Sequence, residues 1–355
     1  MKILALLAAA AAALSGAADN LPSESEPQVS AKSAIVIDAL SGDVVFAKNP
    51  EERLPMASTT KIMTAFITLQ QDDLDEEFTV DSEAIKVEGS SMGLCEGDKV
   101  TLRTLACGML LPSGNDAANA AACRISGSVE AFVGLMNDYA AELGLENTHF
   151  VTPSGLDDYT EDHYSTAADM AKLARTAMQN EDFRDICGKK TVSVEFGDPP
   201  YKRWLTNTNR LLSMCEGAVG IKTGFTDKAG RCLVSACERG TGSLICVTLN
   251  DKNDWDDHMK LYDYSFSKLQ EISLEPELPY YEIPVIGSVP LTCCGKSTKL
   301  SMLPGTAARL ERVTIIKPFI YAPAEEVPQP GRTDFYLDGR LIASLPIVPE
   351  QENAA

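Results

Sequence analysis

The sequence predicts an α/β protein in which an antiparallel sheet is assembled from two distant stretches of chain around a helical middle, with a smaller all-β region after it. Three observations predict this. Residues 33–47 alternate like a hairpin, apolar residues recur at helical spacing from Ser58 onward, and alternating runs return over residues 219–250. Strands first, helices next and strands last is the order of a layered sheet built from both ends of a domain.

The composition bounds the answer. A chain of 355 residues, 45% hydrophobic and 23% charged, is long enough for one large core or two domains, which excludes a disulfide-stapled mini-protein and a disordered chain. A formal net charge of −20 argues against nucleic-acid binding, which needs clustered Lys and Arg to neutralise phosphate. The three histidines, His149, His163 and His258, form no HExxH, and no two CxxC pairs stand together, so neither a structural zinc site nor a multi-histidine catalytic metal site is expected.

The elements follow in order. Residues 1–18 read as a signal peptide: Lys2, the apolar run Ile3 to Leu14, then small residues before Asp19, with cleavage after Ala18. The run is shorter than the roughly twenty residues a membrane span needs. Ala17 stands where a lipidated Cys would be, so no lipid anchor is expected there. Residues 19–30 are a polar, Pro/Ser-rich linker. Ser33 to Leu40 is a strand, Ser41-Gly42-Asp43 a turn, and Val44 to Ala47 the return strand. From Ser58 a helix places Ile62, Met63, Phe66 and Leu69 on one stripe, and a run of helices extends to about Asn180. Within it, helices at Thr101–Leu111 and Asp116–Ile125 flank a break at Pro112-Ser113-Gly114. Strand character returns at Val219–Thr226, then in a hairpin of Cys232–Glu238 and Leu244–Asn250; Trp255–Leu269 is helical. After Pro276, short alternating runs separated by prolines read as a small all-β domain, residues 274–349, before a polar tail at 350–355 with no amphipathic anchor helix. The ten cysteines are scattered and mostly in apolar segments, the pattern of core-packing thiols. An exported chain with this many would ordinarily pair them.

Three short motifs carry chemistry. Ser58-Thr59-Thr60-Lys61 opens a helix, and a spacing of three puts Ser and Lys on one face. A serine hydroxyl is a weak nucleophile, and a lysine activates it only if its pKa falls well below about 10.4, which burial or a second cation achieves. A second S-x-x-K, Ser265 to Lys268, reads as the solvated face of a late helix. Ser113-Gly114-Asn115 lies in the break between helices; alone it reads as a turn with Asn115 capping the next helix. Lys222-Thr223-Gly224 ends a strand, where Gly permits close backbone approach beside a cation and a hydroxyl.

S-x-x-K, S-x-N and K-T-G in that order, at a helix start, an inter-helix loop and a strand end, are the signature set of penicillin-recognising serine enzymes. Further segments (Leu54 to Met63, Glu96-Gly97-Asp98, Leu111 to Ala117, His163 to Ala167, Asn209 to Leu212, Gly220 to Thr226) make residues 31–273 resemble a serine-type D-alanyl-D-alanine carboxypeptidase, a low-molecular-mass penicillin-binding protein. The β-rich tail is similar to that family's C-terminal domain. The resemblance implies a β-lactamase/transpeptidase-like antiparallel sheet with a helical subdomain, no cofactor and no metal. The implied ligands are the peptidoglycan stem peptide and β-lactam antibiotics. It implies that Ser58 attacks the carbonyl of the penultimate D-Ala, Lys61 takes its proton and Ser113 relays a proton to the leaving group. Asn115 would hold the substrate amide, Lys222 keep Lys61 neutral and attract the substrate carboxylate, Thr223 bind the terminal carboxylate, and the N–H groups of Ser58 and Phe225 form the oxyanion hole.

Some relatives place an arginine after the last strand to meet the substrate carboxylate. Residues 250–258 hold none, leaving Lys252 and His258 as candidates. A Ser-His-Asp hydrolase is disfavoured because no G-x-S-x-G occurs, and His163, among Tyr164-Ser165-Thr166-Ala167, reads as structural. A class A β-lactamase would need an E-x-x-L-N segment for its deacylating water, and none is found. Two further readings stay open at this point: a DD-endopeptidase of the same superfamily, and a non-catalytic penicillin-binding sensor or scaffold of the cell wall. The sequence carries no signal of oligomeric state.

Overall fold

The computed structural model describes residues 25–157, 160–321 and 329–350. The expected signal peptide, the first part of the linker and most of the polar tail lie outside the described residues. Among the described residues no helix is long and apolar enough to cross a membrane.

The chain opens with β1 (Ser33–Asp38) and β2 (Val44–Lys48), an antiparallel hairpin, then a 3-10 turn at Ala57–Thr60 that runs directly into α1 (Lys61–Thr68). The short strands β3 (Phe78–Thr79) and β4 (Lys99–Val100) pair across a long irregular stretch. Four helices follow, α2 (Leu102–Leu110), α3 (Asn115–Ser126), α4 (Val129–Glu142) and α5 (Ala167–Ala177), then the shorter α6 (Glu181–Cys187). Next come the hairpin β5 (Thr191–Gly197) and β6 (Pro200–Thr206), the single turn α7 (Leu211–Met214), and three long strands, β7 (Ala218–Thr226), β8 (Gly230–Arg239) and β9 (Gly242–Leu249). Helix α8 (Asp254–Phe266) completes this first region.

The main sheet has the order β2-β1-β9-β8-β7, with antiparallel neighbours throughout. It is covered on both faces, and the alternation of its residues sorts them into two cores. Ile35, Ile37, Val234, Ala236, Ile245 and Val247 pack with the helices of the middle region. Their neighbours Ala34, Val36, Leu233, Leu244 and Cys246 pack on the other face against Leu261 and Tyr262 of α8. A side-chain period of two makes this division unavoidable once both faces are covered.

Helix α1 differs from the single apolar stripe expected for it: every residue from Lys61 to Thr68 is buried. A helix enclosed all round lies in the centre of the helical layer, and its polar members bond internally, Thr64 Oγ1 donating to the Pro153 carbonyl at 2.6 Å and Thr68 Oγ1 to the Thr64 carbonyl at 2.7 Å. Helices α2, α4, α5 and α6 start on side-chain caps: Thr101, Ser128, Thr166 and Asn180 each accept from a backbone N–H three residues on.

The helical run therefore has gaps that the sequence pattern does not place: residues 69–98 are largely irregular, and a hairpin follows α6. Ser265 is fully buried, so the second S-x-x-K is not a solvated face; Lys268 instead lies over the Tyr264 ring.

The C-terminal part is β-rich, as expected. It comprises β10 (Gln270–Leu274), β11 (Tyr280–Ile283), β12 (Val285–Ile286), β13 (Leu291–Gly295), β14 (Thr298–Met302), a one-turn α9 (Pro304–Ala307), β15 (Leu310–Ile316), β16 (Ile320–Tyr321), β17 (Gly331–Leu337) and β18 (Arg340–Pro349). Five of these form a sheet of order β11-β13-β18-β17-β15. Its contacts with the first region fall at loop ends of the main sheet: Arg309 pairs with Asp43, and the hydroxyls of Thr241 and Ser301 lie 2.8 Å apart. The described cysteines are free thiols, and seven of them are buried.

Candidate active site

The site forms where the 3-10 turn meets the edge strand β7. Gly224 explains how closely they meet. A Cβ at Gly224 would lie 3.1 Å from each of the Met56 carbonyl oxygen, Ser58 N and Thr59 N, so only glycine lets the strand lie against the turn that carries Ser58. On the other side, a Cβ at Gly155 would lie 2.0 Å from the Ala57 carbonyl oxygen. The turn is thus held between two glycines. Ala57, immediately before Ser58, has φ of 49°, a left-handed conformation that a non-glycine residue adopts only when its surroundings impose it.

His163 helps impose it. The ring is buried; its Nδ1 accepts from the Val151 N–H at 2.9 Å, so Nε2 carries the proton and donates to Thr60 Oγ1 at 2.8 Å. Thr60 Oγ1 in turn donates to the Ala57 carbonyl at 2.8 Å. Burial pushes the His163 pKa down to about 4, which keeps the ring neutral and this chain of bonds intact at neutral pH. The structural reading of His163 agrees with this position.

Ser58 is half-buried and lines a cleft of about 310 Å³ with Ser90, Ser113, Thr208, Thr223, Gly224, Phe225, Arg231, Asp254 and Trp255. Lys61 lies fully buried behind it, one turn along. Its Nζ is 3.0 Å from Ser58 Oγ, 2.7 Å from Asn115 Oδ1 and 2.6 Å from the Ser154 carbonyl oxygen. A neutral amine has two N–H groups and one lone pair. In its neutral form, with Asn115 and Ser154 accepting the two N–H groups, Lys61 turns its lone pair to the Ser58 hydroxyl. Burial, and then the positive charge of Lys222, hold the Lys61 pKa well below the ordinary lysine value, with Asp116 opposing them.

Asn115, the residue expected to hold the substrate amide, is also a partner of Lys61. It is nearly buried at the first turn of α3, its Oδ1 accepts from Lys61, and its Nδ2 donates to the Glu88 carbonyl at 2.7 Å. One side-chain N–H remains for any further acceptor. Gly114, not Asn115, occupies the cap position of α3. The adjacent Asp116 accepts from the backbone N–H groups of Met92, Gly93 and Leu94, which fixes the loop beside the cleft. Ser113 faces the cleft from a backbone with φ of 67°.

Lys222 is buried, donates to the Thr223 carbonyl at 2.8 Å and has its pKa brought down to about 7 by burial. The hydroxyls of Thr208 and Thr223 lie 2.7 Å apart at the cleft wall. Strand β7 ends the sheet, so its outer edge presents backbone N–H groups that no strand accepts, and Phe225 lies on that edge.

The two candidates for a carboxylate-binding cation are not there. His258 is fully buried between the Ser235 and Thr248 hydroxyls, and Lys252 is exposed away from the cleft lining. The cleft's accessible cation is Arg231 of β8, which sequence reasoning missed. Its cross-strand partner is Phe225, a relation set by the β7–β8 register and not by proximity to any motif.

Comparison with known proteins agrees with this geometry. The profile of the family described as D-alanyl-D-alanine carboxypeptidase matches residues 20–253. The D-alanyl-D-alanine carboxypeptidase DacF of Bacillus subtilis is 36% identical over 248 residues, which is 68% of this chain and 63% of that protein. DacC of Escherichia coli is 33% identical over 91% of this chain and 84% of its own length. Among solved structures, the Streptomyces K15 DD-transpeptidase superposes with a TM-score of 0.65 at 33% identity, covering 69% of this chain and all of that one. The carboxypeptidase DacD of Francisella tularensis superposes with a TM-score of 0.66 at 28% identity, covering 92% and 94%.

Proposed function

The chain belongs to the D-alanyl-D-alanine carboxypeptidase family, and from that premise we propose that it removes the terminal D-Ala from peptidoglycan stem peptides through an acyl-enzyme on Ser58. The observation that carries the reading is the set of contacts at Lys61 Nζ, two acceptors for its N–H groups and the Ser58 hydroxyl opposite the lone pair.

Ser58 Oγ attacks the carbonyl carbon of the penultimate D-Ala as its proton passes to Lys61 Nζ. The oxyanion that forms takes hydrogen bonds from the backbone N–H groups of Ser58 and Phe225. The C–N bond to the last D-Ala breaks as its amine takes a proton, handed from Lys61 by way of Ser113, and an ester to Ser58 remains. Water attacks that ester as Lys61 takes its proton, the bond from the acyl carbon to Ser58 Oγ breaks, and Lys61 returns the proton to Oγ, which restores Ser58 and releases the shortened peptide as its carboxylic acid. Asn115 acts here by fixing Lys61, and Lys222 by lowering the Lys61 pKa. Thr223, with Thr208 beside it, supplies hydroxyls at the end of the cleft where the substrate's C-terminus lies. A β-lactam acylates the same serine, and its ring opening leaves the leaving group attached.

Residues 31–273 form the catalytic domain in this reading and residues 274–349 a separable accessory domain. The enzyme acts outside the cytoplasm after removal of residues 1–18. The test is release of free D-Ala from a diacetyl-Lys-D-Ala-D-Ala peptide, with intact-mass and peptide mapping after benzylpenicillin treatment. One adduct on the peptide containing Ser58 is expected, absent in Ser58→Ala; an adduct that persists in that variant overturns the assignment. Penicillin acylation without D-Ala release favours a sensor or scaffold.

A further inference from the structure

The cleft holds one feature with no part in the steps above. Arg231 lies on β8 directly across from Phe225, and its side chain is 43% exposed. One edge of its guanidinium is already occupied: Nε donates to Asp254 Oδ1 at 3.0 Å, and Nη2 lies 2.8 Å from the same oxygen. Asp254 is itself fixed, its side chain only 5% exposed at the first residue of α8, with Oδ1 also accepting the Trp255 N–H at 3.0 Å. The guanidinium carbon lies 5.5 Å from the centre of the Trp255 ring. Nη1 has no acceptor among the described residues. Arg231 is therefore a cation pinned along one edge and stacked near an indole, with its other edge free in the space it shares with Ser58 and Thr223.

We propose that Arg231 selects substrates that end in a free carboxylate, with Asp254 and Trp255 as its positioning residues. This rests on the reaction proposed above and deepens it. The two lysines of the site are poorly suited to the task. Lys61 is enclosed by its three contacts, and Lys222 is buried and donates to the Thr223 carbonyl. A planar fork with a free edge matches a carboxylate, and an arginine keeps its charge across the whole working pH range. A peptide that continues past the scissile bond, or ends in an amide, presents no charge to it. Arg231 thus makes the cleft that of an exopeptidase and disfavours an endopeptidase.

The experiment compares two peptides, diacetyl-Lys-D-Ala-D-Ala with a free carboxylate and the same peptide as its C-terminal carboxamide, on wild type, Arg231→Gln, Arg231→Lys and Asp254→Asn. The wild type is expected to cleave the acid with the higher kcat/KM. Arg231→Gln should lose about 10- to 100-fold in kcat/KM on the acid, the loss of a charge-assisted hydrogen-bond pair, mainly through KM. Its loss on the carboxamide should stay below about threefold. Arg231→Lys should retain part of the preference, because it keeps the charge but not the fork, and Asp254→Asn should fall between wild type and Arg231→Gln. Equal losses on both peptides, or an acid-to-carboxamide ratio unchanged in Arg231→Gln, overturn the inference. If Arg231→Gln does not fold, the ratio in Arg231→Lys decides the matter. A wild type that cleaves neither peptide, releasing no D-Ala from the acid and no D-alaninamide from the carboxamide, refutes the proposed reaction instead, so the two failures are distinguishable.

Discussion

Replacing Gly224 by alanine adds one methyl group at a point where three backbone atoms, the Met56 oxygen and the nitrogens of Ser58 and Thr59, would each stand 3.1 Å away. Ordinary contact needs a few tenths of an ångström more. The 3-10 turn cannot retreat, because Gly155 closes it from behind with room for no Cβ at all. The strand must yield, and with it the Phe225 N–H proposed for the oxyanion hole. Overpacking of this kind costs about 1 to 3 kcal/mol. For a catalytic region of this size that lowers Tm by a few degrees to about 10 °C. The chemical effect should be larger than the stability effect. A nucleophile displaced by a fraction of an ångström, or a displaced oxyanion donor, slows reaction by about 10- to 100-fold. The assay is the second-order rate of benzylpenicillin acylation, followed by intact mass, beside a thermal melt. Wild-type acylation together with an unchanged Tm in Gly224→Ala would refute the packing argument and the placement of the oxyanion hole with it.

Other expectations concern charge, protonation and domain structure. Removing the Lys222 charge, as in Lys222→Gln, relieves repulsion on Lys61 and raises its pKa, so the acidic limb of the acylation-rate profile should move to higher pH; a limb that stays while the rate falls uniformly limits Lys222 to substrate binding. Lys61→Arg should abolish acylation at every accessible pH, because a guanidinium does not give up its proton; residual acylation that rises with pH points to another base. His163 and His258 are buried neutral, with pKa values pushed down by burial to about 4 and about 3. Between those values and about 6.5 the unfolded chain binds more protons than the folded one, so Tm should fall as pH drops from 7 toward 4, and His163→Gln should flatten part of that slope in a calorimetric pH series. A chain ending at Lys268 keeps every residue that lines the cleft and should still be acylated by penicillin; a folded chain of that length that resists acylation gives the β-rich region a part in the site.

The layered sheet is legible because both its faces are buried, so Ser33–Asp38 and the strands at residues 230–249 read as short, nearly continuous apolar runs bounded by turns. The order of the three motifs is legible because each sits at the end of an element. The hairpin β5–β6 escapes notice although Val192, Val194 and Phe196 alternate into the turn at Gly197-Asp198-Pro199; most of that hairpin is only partly covered, and its apolar signal is weak. The tie of Asn115 to Lys61 goes unseen in the sequence because it crosses 54 residues of chain. Arg231 is hidden for a similar reason: a cross-strand neighbour is a fact of register, and the arginine in the cleft comes before β9, not after it. Ser265 misleads because it lies on the same face of α8 as Leu261 and Tyr262, which pack with residues of the main sheet, a relation a local pattern does not show.

The position of β1 in the main sheet bears on how the molecule comes to be folded. Strand β1 lies between β2 and β9, with Ser33 opposite Leu249, so the second neighbour of the first strand lies more than two hundred residues downstream. Closing so long a loop is entropically unfavourable, and contacts of this sequence separation slow the search for the native state. The helices of the middle region can form early, yet the turn carrying Ser58 acquires its shape only when β7 settles against it. The turn that carries Ser58 lies against Gly224 of β7, an edge strand of this same sheet, so acylation by a labelled β-lactam during refolding is expected to appear only with closure of the sheet; acylation that precedes sheet formation would refute this.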